Sequence, residues 1–278
     1  MGARAGSAGS AGPLQPIRDQ GWGMGFANLF AREMHGWFGG RSWLVHALIW
    51  GAISVGASTM VFFSEGALSG TGERAVEAMS VFIAMAIMAP AVGAVIVMQD
   101  AIIDERRSGT AAWVLSKPVT RVAFLGSKLL ANGIGFLLTA VALPAAAFYV
   151  EFALVAPGTL VAAGFAAGMG LVALHTLFYM TLTLLLGVVS NNRGAAIGIP
   201  LALLFMYQFV IGLLPWLGPL SPYWVMSPVG GSAGPEAWPS MVLATGQPLP
   251  ASEPVFALVA WLVFLAGVSL WRFQKEEL

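Results

Sequence analysis

The chain contains no cysteine. That excludes disulfides, thiol catalysis and cysteine-ligated metals, and it leaves the redox compartment undetermined. Charge is scarce as well: 9% of the residues are charged and 58% hydrophobic, with a mean hydropathy of +0.81. Soluble domains carry nearly a quarter charged residues. The 278 residues would suit one large domain or two soluble ones, but so apolar a chain has too little polar surface to stay in solution. Thirteen basic and thirteen acidic residues cancel to a net charge of zero. Bulk charge therefore points to no nucleic-acid partner, and only its distribution is informative.

Catalytic and nucleotide-binding patterns are missing too. No Gly-x-x-x-x-Gly-Lys-Ser/Thr phosphate loop occurs, and the nearest fragment, Gly126-Ser-Lys128, lacks the preceding glycine and strand. The chain is not expected to bind ATP in that manner. The three histidines, His35, His46 and His175, are scattered, whereas a zinc site wants ligands at helical or short-loop spacing. Structural roles are expected for them, and no metal. No Asp, Glu, Lys or Arg sits deep in an apolar stretch; Lys128 and Glu151 only bracket the third. Intramembrane carboxylates are the usual proton or sodium relays, so ion-coupled transport and paired-aspartate proteolysis are both disfavoured. No catalytic residue and no bound cofactor are expected, and energy has to arrive from outside the chain.

What is present is a series of long apolar runs. A bilayer core needs about 20 apolar residues in a helix. Six segments qualify: 43–63, 78–98, 125–150, 160–189, 195–214 and 255–271. The fourth is overlong, which tilt or an extramembrane start accommodates. Residues 1–21, rich in Gly, Ala and Ser, read as a disordered tail rather than a signal peptide, because the first apolar run starts at Trp43 and is of full span length. The rest, 22–278, reads as one transmembrane domain.

Charge asymmetry orients it. With both termini in the cytoplasm, Arg4, Arg18, Arg32, Arg41, Arg106, Arg107, Lys117, Arg121, Lys128, Arg193, Arg272 and Lys275 lie inside and only Arg74 outside. That satisfies the positive-inside rule strongly. Between the fifth and sixth spans, 215–254 holds nine of the sixteen prolines. Proline at this density forbids a long regular helix, so short helical turns or a shallow re-entrant element are expected, most simply a packed cap.

Between the second and third spans lies a concentrated charged segment, Asp100 to Arg121. The second span is expected to run on through Asp104 to Arg107 and stop at Gly109, a natural C′ residue. Thr110 is placed to cap a short helix over 111–115. Pro118 disfavours helix at Lys117, and Thr120 is placed to cap the third span. The result is a charged cytoplasmic knuckle with Trp113 and Leu115 as apolar anchors. Upstream, a helix from Trp22 to Phe38 puts Trp22, Phe26, Leu29, Phe30 and Trp37 on one face with Glu33 among them. A carboxylate on that face needs a charged partner. Arg106, Arg107, Arg121 and Lys128 are the candidates at the same depth. In the fourth span, Gly164-Phe-Ala-Ala-Gly168 allows close backbone approach, with internal packing preferred to dimerisation. His175, Tyr179, Thr181 and Thr183 there either line a path or hydrogen-bond across helices.

The run Glu105-Arg-Arg-Ser-Gly109-Thr110, then Leu115, Pro118-Val-Thr-Arg121 and Gly126-Ser-Lys128-Leu-Leu-Ala131 resembles the signature of type-2 ABC-transporter permeases, which lies between spans two and three. Phe30-Ala-Arg-Glu33 resembles that family's amphipathic entry helix, and Ser190-Asn191-Asn192 and the short basic tail also fit. The chain departs from the pattern where Ser127 separates Gly126 from Lys128. Size and the proline-rich last connection are similar to those of the short permeases of nitrous-oxide-reductase maturation transporters. The resemblance implies an all-α, six-span permease with an interfacial entry helix and a cytoplasmic coupling helix, sited in the cell membrane. It implies a homodimer gripped by two separate ATPase subunits, which hold the ATP and Mg. It assigns coupling to Glu105, Gly109, Thr110, Trp113, Pro118, Arg121 and Lys128, and places Glu33 on the interfacial helix. Export is the expected activity. The alternative is a mechanical unit that drives an external accessory protein without translocating a substrate.

Overall fold

The structure, a computed structural model, describes residues 21–64, 71–190, 192–220, 222–226, 237–249 and 251–275. Residues 1–20 of the expected tail, and Asn191 of the Ser-Asn-Asn turn, lie outside the described residues. Among the described residues all regular structure is helical. Five helices are long and apolar enough to cross a membrane: Ser42–Phe63, Gly72–Arg107, Arg121–Val155, Ala162–Val189 and Glu253–Gln274.

In chain order, α1 (Phe26–Phe38) precedes α2 (Ser42–Gly51), which continues through a π turn at Ala52–Gly56 into α3 (Ala57–Phe63). Next come α4 (Thr71–Arg107) and the short α5 (Thr110–Leu115). α6 (Arg121–Leu137) continues through a second π turn, Leu138–Ala142, into α7 (Leu143–Val155). α8 (Ala162–Val189) and α9 (Arg193–Leu213) follow. Two tight helical turns, Pro215–Leu220 and Pro222–Met226, and α10 (Pro239–Ala244) lead to α11 (Glu253–Gln274). The fifth expected segment, 195–214, is helical as α9, of which Arg193–Met206 is a shorter apolar helix.

The helices overrun the apolar stretches because their stop signals are polar. α4 continues past residue 98 through Arg107, since nothing before Gly109 breaks it. It passes through Pro90 unbroken; in a packed apolar bundle, neighbouring helices re-satisfy the carbonyl that proline leaves free. α4 and α8 form the centre. Met79, Phe82, Ile83, Ile87 and Met98 of α4 are buried, as are Val172, Tyr179, Met180 and Leu184 of α8. Phe82 stacks on Phe148 of α7 at 3.9 Å between centroids. The α2–α3 and α11 helices lie outside this core and present Leu48, Met60, Phe256 and Val263 outward, as lipid-facing helices do.

The threonine hydroxyls of α8 bond within their own helix rather than across helices. Thr176, Thr181 and Thr183 donate to the carbonyls of Val172, Leu177 and Tyr179 in their own helix, at 2.9, 2.8 and 2.7 Å. Gly164 and Gly168 do pack internally, against backbone of the proline-rich connection. A Cβ at Gly168 would lie 2.6 Å from the Ser240 carbonyl oxygen, and one at Gly164 2.0 Å from that of Leu243. The connection forms short helical turns where it is described. One of them reaches inward, so that buried His175, midway along α8, has Nδ1 3.2 Å from the Pro222 carbonyl oxygen.

Candidate coupling site

The knuckle forms at the charged end of α4. Gly109 adopts φ 74°, a left-handed conformation that ends α4 at low cost. Its N–H donates to the Arg106 carbonyl at 3.1 Å. α5 then starts one residue earlier than expected, with Thr110 as its first helical residue and not its cap. The Thr110 hydroxyl instead lies 2.9 Å from that of Ser108. Exposed Pro118 follows α5, and the Thr120 hydroxyl caps α6 by accepting from Ala123 N–H at 3.1 Å, a contact worth about 1 kcal/mol.

α5 is anchored by Ala111 and Val114, both buried. Trp113 is no internal anchor: it is 63% exposed, and its main neighbour is the Lys117 ammonium, 5.2 Å from the ring centroid. At helical spacing only one face of a six-residue helix can be buried, and Ala111 and Val114, three apart, define it. Leu115 is half-buried.

Above the knuckle sits an ionic cluster. Lys128 Nζ lies 3.0 Å from Glu33 Oε1 and 2.7 Å from Glu105 Oε1, and only 6% of its side chain is exposed. Arg32 adds a peripheral contact to Glu105 at 3.9 Å. Glu33 is therefore paired, as its place on the apolar face of α1 requires. The cluster joins three elements: α1 through Glu33, α4 through Glu105 and α6 through Lys128. Ser127, the residue that departs from the signature, is buried and donates to the Phe124 carbonyl at 2.9 Å.

α1 does not present its apolar face to lipid. It packs along α6, with Glu33 on Lys128 and the Trp37 indole N–H donating to Asn132 Oδ1 at 3.0 Å. Gly135 makes room for that indole, since a Cβ there would lie 2.4 Å from Trp37 Cδ2. The helix begins at Phe26, not Trp22, and Trp22 is exposed rather than on the packed face.

Two basic residues reach helix ends. Arg106 donates to the carbonyls of Gly187 and Val188 at 3.2 and 3.1 Å, capping α8. Arg121 donates to those of Phe273 and Gln274 at 2.8 and 3.2 Å, capping α11. A cation at a helix C-terminus also meets its dipole favourably. Arg193, which sequence reasoning did not single out, pairs with Asp100 and, at 2.8 Å, with Asp104, tying α9 to α4. The charged ends of α4 and α6, which flank α5, are thereby linked to the ends of α8, α9 and α11. The histidines lie apart: His35 on the exposed face of α1, His46 5.1 Å from the Trp37 ring, and His175 in α8.

No curated protein matches the chain. A family model described as ABC-2 family transporter protein matches residues 51–278, which takes in the knuckle and every helix from the first π turn onward but not α1. The chain belongs to that family, and is a membrane-spanning permease subunit of an ABC transporter.

Proposed function

We propose that this chain is the non-catalytic half of a homodimeric exporter, with α5 as the coupling helix on which separate ATPase subunits dock. In this reading α9 is also a span, the fifth of six, and both termini and the knuckle face the cytoplasm. The ATPases bind ATP and Mg. Their closure pushes α5, and the ionic cluster carries the push into α1, α4 and α6. One observation carries the proposal: a short helix, fixed from behind by Ala111 and Val114, displays an exposed tryptophan beside a lysine. In this reading the exposed indole seats in an apolar socket on the partner. The cluster behind it makes the knuckle stiff enough to transmit force.

The mechanical alternative has one observation in its favour. The α8 threonine hydroxyls turn back onto their own helix, which reduces the polar lining that span offers a substrate. The chain then acts as a lever on an external accessory protein. Purification of the tagged chain from its native membrane tests the common core of both readings. An ATP-hydrolysing ABC subunit should co-purify in stoichiometric amount, and Trp113→Ala should reduce its retention several-fold while the permease stays inserted. Full retention by that variant would refute α5 as the dock.

A further inference from the structure

α1 buries one face on α6 and leaves the other bare. The bare stripe is Ala27, Asn28, Ala31, Arg32, His35 and Gly36, all exposed and recurring three and four apart as one helix face requires. Exposed Arg41 continues it past the Gly39-Gly40 turn. Nothing apolar larger than alanine stands on this stripe, and no carboxylate does, since Glu33 is taken by Lys128 on the packed side. The Arg32 side chain is 55% exposed and approaches Glu105 only to 3.9 Å. That is too long for a hydrogen bond, so its guanidinium keeps its donors for another anion. Among the described residues no acidic side chain pairs with His35 or Arg41. The His35 ring folds over Gly39, where a Cβ would lie 2.6 Å from its Cε1, and this sets the imidazole beside the turn that leads to Arg41.

The surroundings of this stripe are lipid. Two spans of 22 residues, Ser42–Phe63 and Glu253–Gln274, are each long enough to cross the hydrocarbon. At the knuckle end they stop at different levels of α6. Ser42 bonds to Trp37, itself bonded to Asn132, whereas Arg121 bonds to the Gln274 carbonyl. The edge of the hydrocarbon lies within that interval, and α1 occupies the interval, with Glu33 on Lys128 and Trp37 on Asn132. With the edge near Asn132, Arg32 and His35 lie within about 6 Å of it, one helical turn, inside a headgroup layer of about 5–8 Å. With the edge near Arg121 they lie level with hydrocarbon, where a cation thins the bilayer locally and draws headgroups to itself. Both levels bring the same ligand. The surface itself changes character just past Arg41, where exposed Leu44, Val45 and Leu48 take over.

We infer that this stripe binds the anionic headgroups of phospholipids in the leaflet at the knuckle end, gripped by Arg32 and Arg41 with His35 beside the turn. A face of cations without a carboxylate attracts an anionic headgroup over a zwitterionic one, and a second copy meeting it face to face would set like charges together. The test needs neither ATPase nor substrate, so it stands apart from the docking at α5. The full-length chain is placed in phosphatidylcholine vesicles containing a trace of spin-labelled phosphatidylglycerol or spin-labelled phosphatidylcholine. The motionally restricted part of the nitroxide spectrum reads the lipid held at the protein. Phosphatidylglycerol should be favoured several-fold. Arg32→Gln with Arg41→Gln should remove most of that preference, and Arg32→Lys with Arg41→Lys should keep it. Arg272→Gln with Lys275→Gln, which takes the same charge from the knuckle end of α11, should also keep it. No preference in the unaltered chain, or equal loss in both glutamine pairs, overturns the inference. So does loss in the lysine pair, which would trace the effect to a disturbed α1. Glycerol phosphate added to the solution should leave the preference intact; its abolition would make the ligand a soluble phosphate and overturn the lipid assignment.

Discussion

Lys128 carries one positive charge between two carboxylates, and at 6% exposure it gains little help from water. Removing it leaves Glu33 and Glu105 facing each other with only the peripheral Arg32 contact to Glu105 in its place. Breaking one side of a buried ion pair costs about 3–5 kcal/mol, so Lys128→Met should lower the unfolding temperature in detergent markedly. Adding Glu33→Gln and Glu105→Gln should restore part of the loss. An unchanged temperature for Lys128→Met alone would show the cluster to be structurally idle. Helical periodicity was enough to put Glu33 on an apolar face and to require a basic partner, but it left four candidates. Two of those, Arg106 and Arg121, are taken up by the carbonyl ends of α8 and α11. The demand of a helix end depends on which helices meet, and no linear spacing encodes that. It also means that Arg121→Glu would disturb the seat of α11 as well as any docking. Trp113→Ala is the cleaner test of α5, because Trp113 is 63% exposed and caps no helix end.

At the scale of elements, hydropathy located the apolar cores of the helices and missed their polar extensions, where capping and not apolarity sets the length. Gly109 as the end of α4 and Thr120 as the cap of α6 were legible, because each rests on a local backbone rule. The partner of Gly164 and Gly168 was not. Their spacing signals close approach, but what approaches is a pair of carbonyls in α10, a six-residue helix inside a proline-rich connection. So short an element has no periodicity to read. Gly168→Ala should force α10 away from α8, at about 1–3 kcal/mol for an overpacked contact, and should speed proteolysis within 215–254. Gly170→Ala serves as the control, since nothing lies within 4 Å of a Cβ there. Equal stability and protease resistance in the two variants would contradict the close contact.

For the whole molecule, composition alone gave the class: few charges, long apolar runs and basic residues gathered at one end of a helical bundle. The same asymmetry makes the proposed orientation testable. In intact cells an impermeant maleimide should label Ser232→Cys, in the last long connection, and leave Ser108→Cys, in the knuckle, unlabelled; the reverse pattern would invert the molecule. What composition did not give is the course of α1, which packs along α6 with Glu33 on Lys128 and Trp37 on Asn132. That path depends on Trp37 fitting over Gly135 and on Lys128 serving two carboxylates, contacts across nearly a hundred residues of sequence. The central claim is that a separate ATPase grips the chain at α5. A photoreactive benzophenone amino acid placed at Trp113 in the full-length chain, irradiated in native membranes, tests it most directly. The account expects one covalent adduct, with an ABC-type ATPase subunit, whose yield changes when ATP is added. Adducts with lipid alone, or a yield of ATPase adduct no higher than from the same amino acid placed at lipid-facing Val263, would contradict it.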